Sequence, residues 1–312
     1  MKDLSGFFHI SWRCFPISDR RYILYPMRQL KNRQHTHGDV AAYYDRNTQR
    51  FLRFSSGSGA LHRKLWPPQV HNATEALQHV NQIILDICKR ELAIYEATAE
   101  REMRILDVGC GVGESVFHLA EYVDADFTGV TLSPVQVRVA RERAAARFLS
   151  QRCTFHEVDI LDFHPASPFH GAFAVESFSH VGNARTFFEA LSRLLRRNGV
   201  FVLIDDMKAE NREHDPAALR WIERFEKGWH LHGLTTSRHV QTCAKEAGFT
   251  LMEDRDLTSF IRVNTAMLLL ARPVLYIPLP LYLRDNLRGG HALQHCIKRG
   301  FTCYRCMVFK KE

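Results

Sequence analysis

Arg104-Ile105-Leu106-Asp107-Val108-Gly109-Cys110-Gly111-Val112-Gly113-Glu114 is an apolar run that ends in an acid and three glycines spaced two apart. Ile105 to Val108 has the unbroken apolar character of a buried parallel strand, and Ser115 to Tyr122 follows with Val116, Leu119 and Ala120 at helical spacing. The stretch therefore predicts a strand that feeds a helix through glycine. Glycine suits that junction because the backbone must turn sharply and let a ligand approach where a Cβ would sit. In a dinucleotide site, G-x-G-x-x-G places a pyrophosphate at the helix start. Here the spacing is G-x-G-x-G, and Asp107 sits just ahead of it. A carboxylate at that place repels a pyrophosphate and attracts an ammonium group.

Downstream, strand and helix alternate regularly, which predicts a parallel, doubly wound sheet with helices on both faces. Phe127 to Leu132 is the second strand, followed by Ser133-Pro134 as a cap and a helix from Val135 to about Leu149. Thr154 to Asp159 is the third strand, Ala172 to Ser177 the fourth, and Val200 to Asp205 the fifth after an Asn198-Gly199 turn. A helix over 238–247 stops at Gly248, Phe249 to Asp256 is the sixth strand, and Phe301 to Phe309 the last. Ligands in such sheets bind outside the C-terminal strand ends. Thr131, Asp159, Glu176 and Asp205 fall there.

S-adenosylmethionine carries an ammonium and a sulfonium, so the sign of the Asp107 site fits it. The stretch resembles motif I of the class I S-adenosylmethionine-dependent methyltransferases. That resemblance implies a Rossmann-like seven-stranded sheet, with Asp107, Gly109, Cys110, Gly111 and Gly113 around the cofactor. Most class I enzymes place an acid at the end of the second strand, for the ribose hydroxyls. This chain has Gly129-Val-Thr131-Leu132-Ser133-Pro134-x-Gln136 instead, which looks like the subgroup of sterol, tocopherol, cyclopropane-fatty-acid and prenyl-diphosphate methyltransferases. Thr131, Leu132 and Gln136 are the expected ribose side. Asp159 and Ile160 are the expected adenine side, a carboxylate accepting from the amino group and an apolar side chain packing on the ring.

Glu176 is the candidate catalytic group. A carboxylate at the end of a buried strand needs a partner or a task, because its desolvation is costly. Methylating an alkene makes a carbocation, and a carboxylate both stabilises that cation and takes its proton. Glu176-Ser-Phe-Ser-His180-Val181 resembles the segment after the fourth strand of the geranyl diphosphate methyltransferases, where the Glu is the base candidate. His180 is taken with it as catalytic.

The 43–66 segment is the expected acceptor side. Val40, Tyr43, Tyr44, Asn47, Phe51 and Phe54 recur at three and four, which predicts an amphipathic helix. Tyr43, Tyr44 and Phe51 offer aromatic faces to a cation, and Arg46, Arg53, His62, Arg63 and Lys64 offer donors to a diphosphate, alone or with Mg²⁺. A plain packing helix with a solvated basic face accounts for the same residues. A second helix is predicted over 74–101.

The expected organisation is an N-terminal cap over 1–100 and a methyltransferase domain over 101–312, with insertions near 208–236 and 261–300. At 312 residues, with 46% hydrophobic and 24% charged residues, the composition is that of a soluble globular protein. A net charge of +8 favours acidic partners without choosing among them. The eight cysteines are dispersed and follow no secretory segment, so reduced thiols and a cytoplasmic setting are expected, and Cys303-Tyr-Arg-Cys306 lacks the second pair a zinc site needs. Residues 1–34 are aromatic and basic without a period. Ala266 to Leu283 is apolar but broken by Arg272, Pro273, Pro278 and Pro280, so a lid or a membrane-resting surface is expected rather than a span.

The expected function is methyl transfer to carbon of a lipophilic small molecule, an isoprenoid or prenyl diphosphate of secondary metabolism. The alternative is an oxygen or nitrogen acceptor, with His180, His62 or His230 as base. A third reading, a binding protein without turnover, has less support, since the basic residues are spread along the chain and no nucleic-acid module is present. Homo-oligomerisation is compatible with all three.

Overall fold

The computed structural model describes residues 38, 42, 44, 45, 48, 62–97, 103–212, 214–263 and 281–312. Gly38, Ala42, Tyr44, Asp45 and Thr48 are helical, in keeping with the period of the 40–54 segment. Tyr43, Arg46, Phe51, Arg53, residues 1–34 and most of the apolar stretch 266–283 lie outside the described residues.

Helix α1, Ala73–Ala97, begins at a reciprocal cap: Asn72 Oδ1 accepts from the Thr74 and Glu75 N–H groups, and the Glu75 carboxylate reaches back to His71 N and Asn72 Nδ2. Such a cap stabilises a helix start by about 1 kcal/mol. Its Val80, Ile83, Ile84, Ile87 and Cys88 recur at three and four and are buried against the sheet.

The seven strands are β1 Arg104–Val108, β2 Asp126–Thr131, β3 Cys153–Glu157, β4 Phe169–Val175, β5 Leu195–Lys208, β6 Phe249–Asp256 and β7 Thr302–Lys311. They lie in the order β3-β2-β1-β4-β5-β7-β6, and β7 runs antiparallel between β5 and β6. The alternation of side chains across the sheet divides the core in two. Ile105 and Phe127 face the core that holds α1, with α2 (Glu114–Ala120) and α3 (Pro134–Ala146). Leu106 and Val108 face the core of α4 (Ala184–Leu194) and α6 (Ser237–Glu246), where Phe187, Phe188, Leu191 and Val240 are fully buried.

Several boundaries differ from the sequence reading; the fourth strand, for one, runs Phe169–Val175, which leaves Glu176 and Ser177 just beyond it. The third strand ends at Glu157, because Asp159 turns to cap a single 3-10 turn, its Oδ1 accepting the Leu161 N–H. The fifth strand runs on to Lys208, since antiparallel β7 pairs with it as far as Lys208 opposite Thr302.

The 208–236 insertion holds α5, Pro216–Gly228, capped by Asp215 with Pro216 in its first turn. The 261–300 insertion contributes α7, Leu281–Arg299. These two helices share a third core of Ala218, Ile222, Phe225, Ala292, Leu293 and Cys296. No helix among the described residues is long and apolar enough to cross a membrane.

Candidate active site

The chain order places a topological crossing at β1, whose neighbours are β2 on one side and β4 on the other. The turns after β1 and β4 therefore open a crevice between them. Gly109, Gly111 and Gly113 all have left-handed backbones, at φ 79°, 53° and 82°. A Cβ on Gly109 would lie 2.3 Å from that of Ser177, so the two turns meet without room for a side chain. Ser177 seals the junction by donating to Val108 O at 2.5 Å.

Asp107, the penultimate residue of β1, is 4% exposed, and no cation pairs with it among the described residues. Burial pushes its carboxyl well above the usual range, and burial together with the Asp107 charge pushes up the neighbouring Cys110 thiol. Cys110 lines the cavity as a neutral thiol. A buried carboxylate without a counter-ion is the feature an ammonium group would satisfy.

On the β2 side, Thr131 Oγ1 donates to Gln136 Oε1 at 2.7 Å. Ser133 Oγ accepts from Gln136 N and donates to Asp45 Oδ1 at 2.5 Å, which ties the segment before the domain to this wall. Leu132, Asp159 and Ile160 line the same cavity. These residues fit S-adenosylmethionine, with Asp107 toward the ammonium, Thr131 and Gln136 toward the ribose, and Asp159 with Ile160 toward the base. When bound, that cofactor supplies a methyl group already activated on sulfonium.

The other wall is a buried ionic network. Glu176 sits directly after β4 with a left-handed backbone, φ 49°. Its Oε1 accepts the Arg63 backbone N–H at 2.9 Å and the Tyr304 hydroxyl at 2.8 Å. The Arg63 guanidinium grips Asp206 with both terminal nitrogens, one of them at 2.7 Å. It also lies 3.8 Å from Glu176 and 4.9 Å from the centre of the Tyr304 ring. Burial opposes the Arg63 charge, but Asp206 and Glu176 outweigh it and hold the guanidinium firmly protonated. Burial raises the Asp206 carboxyl against the pull of Arg63, and raises the Tyr304 hydroxyl, with Glu176 adding to it. Asp205, buried and beside the Asp206 charge, is pushed up to about 7 although the Ser179 and Asp206 N–H groups favour its ionised form.

His180 and His62 complete this wall. His180 Nε2 is 2.9 Å from the Tyr44 hydroxyl, and its carbonyl accepts from His232 Nδ1 at 2.7 Å. Burial lowers the proton affinity of His62 despite nearby Glu176, so it is the neutral imidazole at neutral pH. Both walls border one cavity of about 450 Å³, which Tyr44, His62, Glu176 and His180 line together with Phe225, Trp229 and Leu231. His230 is not among its lining residues.

The structure thus brings together the described residues that the sequence marked for cofactor, acceptor or chemistry, apart from His230, Lys64 and Gly113, the last of which turns behind the wall under Phe155. Sequence reasoning missed that Arg63 and Tyr304 hold Glu176 and that Asp206 holds Arg63. The adjacent acids Asp205-Asp206 at the end of an apolar strand were a readable signal; Tyr304 had none, because it depends on the register that sets it beside Asp206. Among the described residues no group of three or more acidic, His or Cys side chains is placed to hold a metal.

The family model for mycolic acid cyclopropane synthetase matches residues 76–263, from within α1 to the turn beyond β6. The chain belongs to that family. It is a class I S-adenosylmethionine-dependent methyltransferase. It is 32% identical over 187 residues to the O-methyltransferase cnsE of Penicillium expansum, covering 59% of this chain and 65% of that protein. It is 31% identical over 161 residues to 24-methylenesterol C-methyltransferase 2 of Oryza sativa subsp. japonica, covering 49% of this chain and 43% of that one. The alignments thus span less than two thirds of either relative. The cyclopropane synthase MmaA2 from Mycobacterium tuberculosis shares the fold, at a TM-score of 0.69 and 17% identity over 90% of this chain and 100% of that one.

Proposed function

We propose that this methyltransferase acts on a hydroxyl oxygen of an uncharged, lipophilic small molecule. The observation that carries this reading is the state of Arg63. It is the one guanidinium on the described cavity wall, with both terminal nitrogens on Asp206 and its Nε 3.8 Å from Glu176. Lys64 is exposed and does not line the cavity. The described wall therefore presents carboxylates and neutral imidazole, with no cation to anchor a diphosphate. An anionic acceptor is disfavoured there, whereas a hydroxyl finds a proton acceptor. With Oε1 of Glu176 held by two donors, Oε2 has no partner among the described residues, and that oxygen takes the hydroxyl proton as transfer proceeds. His180 and Tyr44, 2.9 Å apart on the wall of the same cavity, orient the acceptor. The 32% identity to an O-methyltransferase supports the same reading.

A second reading is methyl transfer to carbon of an uncharged alkene. It is favoured by the excess of carboxylates over cations on the wall, which suits a carbocation, and by the sterol C-methyltransferase relative. A prenyl diphosphate would need Arg46 or Arg53, outside the described residues. Incubation with S-adenosylmethionine and a panel of phenols, alcohols and prenyl compounds, with carbon NMR of the products, separates the readings. A methoxy carbon is expected; a methyl carried on carbon would overturn the oxygen assignment.

A further inference from the structure

The end of the cavity farthest in sequence from the glycine turn is built where α5 and α7 cross, and this crossing is unusually close. A Cβ on Gly228 would lie 2.4 Å from the Cα of Gly289. A Cβ on Gly289 would lie 2.4 Å from Cδ1 of Trp229. The indole of Trp229 thus rests directly on the backbone of α7, at the place where that helix lacks a side chain. Two consecutive glycines, Gly289 and Gly290, inside a 19-residue helix cost about 1 kcal/mol each relative to alanine, so their presence requires a packing reason. The indole over one and the cavity over the other supply it: Gly290 itself lines the cavity.

The backbone after α5 aims this side chain. Trp229 N donates to Phe225 O, His230 adopts a left-handed conformation at φ 55°, and Leu231 N returns to Glu226 O at 2.9 Å. Glu226 then accepts the Leu234 N–H at 2.8 Å, which pins the reversal. A non-glycine residue in that conformation is strained, and it persists because these contacts over-determine it. The result is that Trp229 and Leu231, two residues apart, both reach the cavity wall. Trp229 packs edge to face on Phe225, 5.4 Å between ring centres.

We infer that Trp229, seated on Gly289, is the gauge that sets how long an acceptor the cavity admits. The inference rests on the cavity being the acceptor pocket. Shortening Trp229 removes the end wall and opens space along the α5–α7 crossing. Adding a methyl group at Gly289 does the reverse, because α7 cannot retreat from Gly228 and the indole must move toward the cavity.

The test uses the full chain saturated with S-adenosylhomocysteine and three neutral probes of increasing length, phenol, 2-naphthol and 4-phenylphenol, titrated calorimetrically. Trp229→Ala is expected to bind 4-phenylphenol about tenfold tighter than the unmodified protein does, with phenol little changed. Trp229→Phe, which keeps the contact with Phe225, is expected to shift the same way by less and stands in if the alanine variant fails to fold. Gly289→Ala is expected to lose 4-phenylphenol first. Affinity for S-adenosylhomocysteine should be the same in all of them. Identical length preference in the unmodified protein and both Trp229 variants would overturn the inference, and so would the failure of all three phenols to bind the unmodified protein. If length preference moves as expected but methyl transfer goes to carbon, the gauge stands and the oxygen proposal falls. If methyl ethers form with an unmoved length preference, the reverse holds.

Discussion

The hydroxyl of Tyr304 donates to Oε1 of Glu176 at 2.8 Å, joining two residues 128 positions apart. The same oxygen receives the Arg63 N–H, and the Glu176 backbone N–H donates to Ile204 O at 2.9 Å. A left-handed backbone at a non-glycine residue costs roughly 1–3 kcal/mol and persists only where its surroundings hold it. Here three hydrogen bonds do so, and they fix the direction of one carboxylate oxygen into the cavity.

Glu176→Gln keeps the shape and removes the proton acceptor. Turnover is expected to fall by about 10²- to 10⁴-fold, the range for loss of a positioned general base, while calorimetry shows unchanged affinity for S-adenosylhomocysteine. Full turnover in this variant would remove Glu176 from the chemistry in either acceptor reading.

Arg63 and Asp206 test the network beneath it. Both side chains are largely buried, and removing one partner leaves the other as an uncompensated buried charge. Arg63→Met is expected to lose about 3–5 kcal/mol in urea denaturation. Asp206→Leu in the same chain should recover most of that loss, since an apolar pair of similar volume replaces a buried ion pair at little cost. If the double variant is no more stable than the single one, the loss came from packing and not from the stranded carboxylate.

What was legible in the sequence follows from how local each signal is. The strand, glycine turn and acid of Ile105 to Gly113 lie in one continuous stretch, and their dihedrals depend on neighbours a few residues away. The strand-end residues Thr131 and Glu176 were readable for the same reason, because a regular strand–helix alternation puts strand ends on one rim. The partners of Glu176 were not. Arg63 and Asp206 are 143 positions apart, and Tyr304 meets Asp206 only through the antiparallel register of β7. Helix α7 was hidden by its own glycines: Gly289-Gly290 argues locally against a helix, and only the contact with Gly228 explains them. Asp159 was placed on a strand because its neighbours alternate, whereas its side chain competes for the backbone and ends the strand two residues early.

Asp107 makes a prediction about cofactor affinity. Burial holds its carboxyl well above the ordinary range, so acid neutralises it sooner than an exposed aspartate. Binding of S-adenosylmethionine should therefore weaken as pH falls, because the neutral carboxyl no longer attracts the ammonium. Asp107→Asn is expected to bind about ten- to a hundredfold more weakly at neutral pH, the loss of one charge-assisted hydrogen bond, and to show a flatter pH profile. A profile as steep as that of the unmodified protein would place the titrating group elsewhere.

Asp205 makes the opposite kind of prediction, about folding. In the native protein it keeps its proton up to about pH 7, whereas in the unfolded chain it loses it near 3.8. Between those values the native state binds more protons than the unfolded state. The stability this group contributes is complete below the lower value and is lost as pH rises through the upper one. Asp205→Asn cannot ionise, so its stability relative to the unmodified protein should climb between about pH 4 and about pH 7 and level off above. The lost carboxylate acceptor of the Ser179 N–H shifts the variant's curve by a constant and leaves that slope in place. Titrations that affect both proteins alike, including that of His62, cancel in the difference. Paired urea denaturation curves across this window give the measurement, and a difference that stays flat would mean that Asp205 is ionised in the native protein throughout.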